Sequence, residues 1–420
     1  MTTATMTPNP FTPEHVEHPY PVHEALRESG VARVPGTDMF AISRYEDVEY
    51  VLMHPELYSN IVNADMRDLS DEQRSRVRLT GALPGSDLPE HNYYRTLVGR
   101  QFSARGVQPL EERIREIVDR LIDSFANDGR VELARQFATP LTVLVFVEQM
   151  GIPDGDVPKV KEWVDCAIDQ MAVAVGMLPA ERAAEVAKGM ADFREYLIAL
   201  AHDRRQHPRD DLLSTIVTTP VHGFGGRLML DHELEGMLVT LLMGGTETTL
   251  NMICSGIWLL LTHPEQFAEL LGDYSLIPNF IEEVLRIESP VQGLFRRALV
   301  DSKVAGVPIP AHSRLWVMYG SANSDPSHFP EPRRFDIHRA NAKESMAFGA
   351  GVHYCLGAPL ARMEGRGAFE QLLTRLNDLS FAPGLNDFKH GPNFVIRGFK
   401  ELWLDFDRKA RPSSPGLNGR

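Results

Sequence analysis

Apolar and polar positions alternate with a helical period over the middle of the chain, from residue 87 to about residue 290. The longest such pattern opens at Asp231 and runs to about Leu261. At ~1.5 Å per residue this helix would be roughly 45 Å long, enough to cross a whole domain. A further helix is predicted to begin at Asn279 and to end before Pro290, since a proline disfavours the helical backbone in the residue before it. Its buried face would comprise Ile281, Val284 and Leu285.

Shorter patterns flank this helical region. A short helix is predicted over Val22–Glu28, a strand over Met39–Ile42 and a helix near Asp47–Met53. After residue 290 the alternation becomes strand-like over Val300–Pro310 and Arg314–Tyr319; a last helix begins near Leu356, and the final strands lie between 378 and 407. The chain is therefore expected to be mainly α (α+β): one large helical domain, residues 20–407, with a small β-sheet region. Residues 1–19 are predicted to be a flexible arm, residues 60–86 a long loop and residues 408–420 a disordered tail.

Composition narrows the functional classes. The chain has 420 residues with 43 Lys and Arg against 57 Asp and Glu, so its net charge is −14. That balance argues against a nucleic-acid partner, since phosphate backbones favour clustered cations. Its three cysteines, without CxxC spacing, exclude a disulfide framework and fit a reducing cytoplasm. The longest apolar run, Met252–Leu261, is about half of the ~20 residues that a bilayer needs, so we expect no membrane segment.

The most informative stretch is Phe348-Gly349-Ala350-Gly351-Val352-His353-Tyr354-Cys355-Leu356-Gly357. Cys355 comes directly before the last predicted helix, where free N–H groups and the helix dipole should lower the pKa of its thiol. A lone thiolate without a companion ligand at metal spacing suggests a single axial ligand, which heme iron accepts. The alternative is a buried cysteine that ends a glycine turn.

A second unusual stretch interrupts the long helix with Gly244-Gly245-Thr246-Glu247-Thr248-Thr249. The hydroxyl of Thr248 could bond the carbonyl of Gly244, four residues earlier, and open the helix locally. Glu247 would then be a titratable group among apolar neighbours. The alternative is a kink made by packing, with Glu247 on a solvated face.

The stretch 348–357 resembles the heme-binding loop FGxGxHxCxG of the cytochrome P-450 superfamily at every fixed position, and the resemblance extends from about Pro19 to Phe406. It implies the cytochrome P-450 fold and heme b (iron protoporphyrin IX), with Cys355 as the metal ligand. Glu247 and Thr248 resemble the family's acid–alcohol pair, the catalytic residues for proton delivery to dioxygen. Glu in place of the commoner Asp is a mild departure from the family. The loop residues implied to bind the cofactor are Phe348, Gly349, His353, Cys355 and Gly357.

The resemblance also assigns residues outside the cysteine loop. Asp87 and Glu90 form a capping-box pattern for a helix that carries His91 and Arg95 four residues apart, and these two resemble the family's propionate-binding pair. Arg296 resembles a third propionate-binding residue of the family, with the adjacent Arg297 as the alternative. His353 resembles the fourth. Glu283 and Arg286 match the family's ExxR motif and are expected to be scaffold residues. Glu282 is a competing partner for Arg286. Arg334 resembles the third member of that network.

The implied function is monooxygenation of a largely apolar small molecule with O2, driven by NAD(P)H through a separate ferredoxin and ferredoxin reductase. The substrate pocket should draw on the 60–86 loop, part of 165–190, the long helix near Met243 and Glu247, and the segments Val291–Phe295 and Asn393–Ile396. A basic patch for the ferredoxin is expected from Arg100, Arg105, Lys343, Arg362 and Arg366. Two alternatives remain: the same heme used for peroxide-driven oxidation or for ring formation and coupling, and a non-catalytic heme sensor.

Overall fold

The computed structural model describes residues 9–62, 70, 82–174, 178–391 and 393–408. Most of the predicted 60–86 loop, residues 175–177 of the predicted pocket and nearly all of the predicted tail, from residue 409, therefore lie outside the described residues. No helix within these ranges combines the length and the apolar character that crossing a bilayer requires.

Helices dominate the described chain, and most of the apolar patterns account for them. They are α1 Pro13–Glu17, α2 Pro19–Ser29, α3 Tyr45–Met53, α4 Glu90–Phe102, α5 Ala104–Val107, α6 Glu111–Phe125, α7 Thr139–Gln149, α8 Val157–Ala174, α9 Ala180–Gln206, α10 Leu212–Thr218, α11 Asp231–Thr262, α12 Pro264–Gly272, α13 Ile277–Ile287, α14 Tyr319–Ala322 and α15 Ala358–Arg375. Short 3₁₀ turns precede and follow several of them, and one π-helical turn, Ala134–Ala138, leads into α7.

The strands form three small sheets. They are β1 Ala32–Arg33, β2 Met39–Ile42, β3 Tyr58–Ser59, β4 Arg130–Glu132, β5 Leu294–Ala298, β6 Ser302–Val304, β7 Val307–Ile309, β8 Arg314–Val317, β9 Leu376–Phe381 and β10 Trp403–Arg408. The largest sheet has the order β1-β2-β8-β5-β3, the second β4-β10-β9, and β6 and β7 form a hairpin. Within the largest sheet β2 pairs with β8 in parallel and β5 pairs with β8 antiparallel, so β5 and β8 bring the chain after residue 290 back to its N-terminal part.

The main hydrophobic core lies between the helices, and two smaller cores lie on the largest sheet. Helix α11 carries much of the main core, because its C-terminal half from Thr249 to Leu260 is buried almost all round. The predicted face of α13, Ile281, Val284 and Leu285, is buried against this core. The mainly helical fold with small sheets is thus confirmed.

Three predictions at this level are corrected. Asp87 does not cap α4, which begins at Glu90; its carboxylate instead accepts hydrogen bonds from Ser59 Oγ and Asn60 N at 2.5 and 2.8 Å. Helix α13 begins at Ile277, two residues before Asn279, because Pro278 is well suited to a first helical turn. The short helix predicted over Val22–Glu28 is longer, running from Pro19 to Ser29 as α2.

Residues 9–19 also differ from the flexible arm that the sequence suggested. Pro13–Glu17 is helical, its N-terminus is capped by the Thr12 hydroxyl, and His15 is buried. Distant residues hold this segment in place, which a local pattern of proline and threonine could not reveal.

Candidate active site

The cysteine loop is a tight turn held by its own backbone. The amide of Cys355 donates to the carbonyl of Phe348 at 2.9 Å. Gly349 and Gly351 have φ values of 66° and 68°, a region that side chains other than glycine's strain to adopt. A Cβ on Gly351 would lie 2.5 Å from the carbonyl oxygen of Leu52, so a glycine is also needed for the loop to pack on α3.

The sulfur of Cys355 lies one turn before α15, as the sequence indicated. The amides of Gly357 and Ala358 donate hydrogen bonds to it, yet burial outweighs them and raises the pKa of the thiol. The prediction of a lowered pKa is therefore wrong for the protein alone, because the helix amides compensate only part of the cost of a buried thiolate. A metal cation at the sulfur would supply the missing charge, since a coordinating thiol is deprotonated outright.

The surroundings of the sulfur leave room for a flat ligand. A Cβ built on Gly357 would have a single neighbour within 4 Å, the Cys355 sulfur at 3.9 Å. A side chain at this position would therefore occupy the space beside the sulfur. Phe348 lies on the other side of the loop, where the guanidinium of Arg362 stacks over its ring at 4.5 Å.

Four basic side chains from three segments converge next to this loop. The rings of His91 on α4 and His353 in the cysteine loop lie 4.0 Å apart. Arg95 donates to the carbonyl of Tyr354 at 2.7 Å, and Arg296 on β5 is buried and donates to the neighbouring carbonyl of Phe295 at 2.8 Å. In the described part of the chain no carboxylate forms an ion pair with either arginine.

This cluster is electrostatically incomplete. Burial, together with the nearby charges of His91, Arg296 and Arg95, lowers the pKa of His353 to about 3. Burial and Arg95 likewise lower the pKa of His91. The Nδ1 atoms of both histidines are buried and have no hydrogen-bond partner among the described residues. Unpartnered buried ring nitrogens beside two arginines are a costly arrangement, which an anionic ligand would relieve by accepting hydrogen bonds from the cluster.

Helix α11 carries the predicted acid and alcohol on successive residues. Thr248 Oγ1 donates to the carbonyl of Gly244 at 2.9 Å, as predicted, although the helix continues through this turn. Burial, together with the negative charge of Asp169 on α8, raises the pKa of Glu247 to about 7. Glu247 is partly buried, and its carboxyl can both give and take a proton near neutral pH.

The Glu283–Arg286 pair is a buried structural network. Arg286 donates to both carboxylate oxygens of Glu283, at 2.7 and 2.8 Å, and both side chains are fully buried. The third member is Arg339, whose Nε lies 3.1 Å from each oxygen of Glu283. The assignment of Arg334 is wrong: its guanidinium is mostly exposed and pairs with Glu331, while only its carbonyl joins the network.

Glu282, the competing partner, pairs instead with Arg362 of α15, with nitrogen–oxygen distances of 2.5 and 2.9 Å. Arg366 pairs with Glu111 and Glu370. Two of the five predicted patch residues are thus partly neutralised. The other three, Arg100, Arg105 and Lys343, are exposed and form no ion pair with any described residue.

Comparisons with known proteins fit this geometry. The sequence model of the family described as Cytochrome P450 matches residues 32–383. The chain belongs to the cytochrome P450 family. It is 36% identical over 397 residues to the cytochrome P450 monooxygenase PikC of Streptomyces venezuelae, covering 93% of this chain and 91% of that protein. It is 34% identical to the vitamin D(3) 25-hydroxylase of Pseudonocardia autotrophica, covering 96% and 97%.

The fold agrees with solved P450 structures. The structure of cytochrome P450 CYP109Q5 from Chondromyces apiculatus superposes with a TM-score of 0.84 at 32% sequence identity, covering 96% of this chain and 100% of that one. The P450 fold and the heme cofactor of the family are thereby established, and the chain is a P450 monooxygenase, an enzyme class whose bacterial members hydroxylate small organic molecules.

The residues present fit heme on two independent grounds. Beside Gly357 only the Cys355 sulfur would meet an added Cβ, so heme could approach this sulfur and a thiolate there could ligate its iron. The cluster of His91, Arg95, Arg296 and His353 has unpartnered ring nitrogens and two arginines without an ion pair to any described residue, a chemistry that suits the two heme propionates.

The predicted pocket segments divide into two kinds. Leu294 is 38% exposed and lies on the same face of β5 as Arg296, which is two residues further along the strand. In contrast, Phe295, Phe394 and Val395 pack with Trp316 in a small core, with 4.8 Å between the rings of Phe295 and Trp316. These three residues therefore form part of a small core on β8.

Proposed function

We propose that the protein is an O2-dependent monooxygenase that inserts one oxygen atom into a largely apolar small organic molecule. The overall balance is substrate, O2, two electrons and two protons giving hydroxylated substrate and water. When bound, the heme supplies dioxygen activation. The observation that carries the proposal is Glu247 beside Thr248 in α11, with a carboxyl pKa of about 7 next to a hydroxyl on the same helical turn.

The roles proposed for the chain follow from the site. Cys355 provides the thiolate ligand, with Phe348, Gly349 and Gly357 shaping its loop. The four basic residues His91, Arg95, Arg296 and His353 bind the propionates. Glu247 takes up protons at neutral pH and passes them through the Thr248 hydroxyl toward dioxygen. A peroxide-driven enzyme would not need this donor pair, so Glu247 and Thr248 favour the O2-dependent route over it.

Replacing Thr248 by alanine should break the coupling of electron use to product. Without the hydroxyl, proton delivery is misdirected, and we expect most of the NAD(P)H consumed to appear as hydrogen peroxide. The matched control is Thr246→Val, which removes a similar hydroxyl that bonds the Leu242 carbonyl at 3.0 Å on the same helix. Peroxide and NAD(P)H are measured together during turnover; full coupling in Thr248→Ala would contradict the role of Thr248.

The substrate class is inferred from the lining and from the relatives. Leu294, Val291 and Ile396 are apolar and partly exposed around the start of β5. Sites for small molecules are mostly apolar with few polar anchors. Vitamin D(3), named for the relative above, is a molecule of this kind. A screen for a shift in the spin state of the heme protein, over apolar compounds of differing size, tests this class.

The electrons are proposed to come from a separate ferredoxin and its NAD(P)H-dependent reductase, which places the reaction in the cytoplasm. Arg100, Arg105 and Lys343 are exposed cations without an ion pair to any described residue. Two exposed apolar side chains lie at the cysteine loop: Tyr354, 38% exposed, belongs to it, and Met53, 54% exposed, packs beside Gly351. An apolar centre with a basic rim suits an acidic electron donor.

Arg100→Glu should slow reduction of the heme iron by a plant-type ferredoxin with its reductase. We expect roughly a tenfold loss in rate at low ionic strength that shrinks as salt screens the charges. The control is Lys400→Glu, an equal charge change outside the elements of the cysteine side. Stopped-flow reduction is the measurement; equal rates for both variants at all salt concentrations would count against the patch.

A further inference from the structure

The N-terminal segment, residues 9–17, packs against a segment near the C-terminus, residues 393–397. Phe11 lies between two aromatic rings, with centroid distances of 4.8 Å to Phe394 and 5.7 Å to Trp316. Phe394 and Trp316 also contact each other at 5.6 Å. A phenylalanine near the start of the chain therefore completes an aromatic cluster that rests on β8.

Polar contacts fix the other end of the N-terminal segment. The carboxylate of Glu17 accepts hydrogen bonds from the backbone N–H and the ring Nδ1 of His390, at 3.1 and 3.0 Å. Arg397, which is 91% buried, donates to the carbonyl of Val16 at 2.6 Å and to the carboxylate of Glu288 at 2.9 Å. Arg397 therefore joins three parts of the chain: the N-terminal segment, residues 393–397 and the end of α13.

Residues 393–397 pair in turn with the chain that leads into β5. The amide of Gln292 donates to the carbonyl of Val395 at 2.7 Å, and the amide of Arg397 donates to the carbonyl of Pro290 at 2.8 Å. Val291 and Ile396 form an antiparallel bridge between them. Two residues after Gln292 comes Leu294, on the same face of β5 as Arg296. The contacts thus form a continuous path from the N-terminal segment to the strand that carries Arg296.

We propose that residues 9–17 act as a strap that holds residues 393–397 against residues 290–292. Phe11, Glu17 and Arg397 are then positioning residues for bulky ligands that bind beside the heme. In the described part of the chain, no hydrogen bond, ion pair or ring contact joins the strap to the cysteine loop or to the basic cluster. Its role rests on the proposed function only in that the ligands it affects bind beside the heme. Loosening it should therefore alter binding of large ligands and leave small ones unaffected.

Hydrogen exchange on the heme-loaded full chain tests the strap directly. The reporters are the amides of Gln292 and Arg397, which close the pairing between the two segments. In Phe11→Ala and in Glu17→Gln we expect both amides to exchange about tenfold faster, the effect of losing about one good contact. Glu14→Gln is the matched control, because Glu14 is an exposed carboxylate on the same short helix. Unchanged exchange at both amides in both variants would overturn the proposal.

Azole binding tests the consequence for the site. Imidazole is the small probe and clotrimazole the bulky apolar one, both followed by the shift of the heme absorption band. We expect the Kd of clotrimazole to rise about fivefold to tenfold in Phe11→Ala and Glu17→Gln, while the Kd of imidazole stays unchanged. Equal changes for the two azoles, or none for clotrimazole, would refute the positioning role. A wild-type protein that binds neither azole would contradict the proposed function, and the exchange rates would still decide the strap.

Discussion

Two buried clusters of charged residues in this protein differ in one respect, the supply of partners. Around Glu283, the guanidinium of Arg286 uses all of its N–H groups: two on the carboxylate and the others on the carbonyls of Asn323, Pro332 and Arg334. Around His353, the cations have no carboxylate partner among the described residues, and two ring nitrogens are orphaned. The first cluster is complete within the protein, whereas the second is complete only with an anionic ligand.

This difference predicts which of the two clusters stabilises the fold and which one binds a ligand. A satisfied buried network stabilises the fold or fixes its geometry, and removing one partner leaves an uncompensated charge. A buried network whose hydrogen bonds are not all made lowers the stability of the fold until its ligand binds. Removing one of its members should therefore weaken ligand binding and leave the stability of the fold unchanged. The two clusters should therefore respond in opposite ways to mutation.

The largest effect is expected from Arg339→Ala. This change removes one of the two arginines that bond the buried Glu283 carboxylate and takes a donor away from the carbonyl of Pro330. It should lower the free energy of unfolding by about 3 kcal/mol, since hydrogen bonds to a charged group are among the stronger ones. Urea unfolding followed by circular dichroism is the measurement. Arg334→Ala is the control, since its exposed guanidinium should contribute less than about 0.5 kcal/mol. Comparable losses in the two variants would restore Arg334 as the third member of the network.

Arg296→Ala should leave the fold intact and weaken heme retention. Loss of a charge-assisted hydrogen bond to a propionate is worth about 1.5–3 kcal/mol, which corresponds to heme dissociation roughly 10–100-fold faster. Transfer of heme to apomyoglobin measures this rate, and urea unfolding of the heme-free protein should show no loss of stability. Arg297→Ala is the neighbouring control, because Arg297 donates to the carbonyls of His312 and Val62. If the heme-free Arg296→Ala protein were less stable while heme retention stayed normal, Arg296 would be a structural residue and not a ligand-binding one.

A smaller effect, on the pH dependence of stability, is expected from Glu247→Gln. Glu247 is a single acid that belongs to neither cluster. Its folded-state pKa, about 7, is above its unfolded value of 4.5, so the folded protein holds more protons between these values. Stability should therefore fall as pH rises from 4.5 to about 7, and the fall should be shallower in Glu247→Gln. Thermal unfolding across this pH range compares the two proteins; parallel curves would place Glu247 in water.

Asp169→Asn should produce the smallest change. Removing the negative charge of Asp169 should lower the pKa of Glu247, because that charge disfavours the ionised carboxyl. The decrease should be small, since burial is the principal cause of the raised pKa and remains. The pH midpoint of single-turnover product formation should then move to lower pH. Asp192→Asn is the control: it removes a charge that pairs with Lys188 on the surface of α9. A midpoint that does not move would show that burial alone sets the pKa of Glu247.

Features that depend on neighbours in sequence could be predicted from the sequence. The glycines and Cys355 of the loop lie within ten residues, and the bond from Thr248 to Gly244 spans one turn of one helix. Arg339 could not be distinguished from Arg334 because the choice depends on how the chain turns back over Glu283 after residue 330. The raised thiol pKa of Cys355 was also missed, because spacing shows the donors at a helix start but not the degree of burial. The contact of Phe11 with Phe394 joins opposite ends of the chain, and no local pattern signals it.

The position of Arg362 has a practical consequence for anyone who maps how electrons enter this protein. Its guanidinium lies over the ring of Phe348 and donates hydrogen bonds to Glu282 of helix α13. Arg362 therefore connects the cysteine loop to helix α13. A charge swap there would disturb the iron's own environment as well as any encounter with a donor. A slower electron transfer in that variant would reveal nothing about recognition unless the reduction potential were determined alongside it.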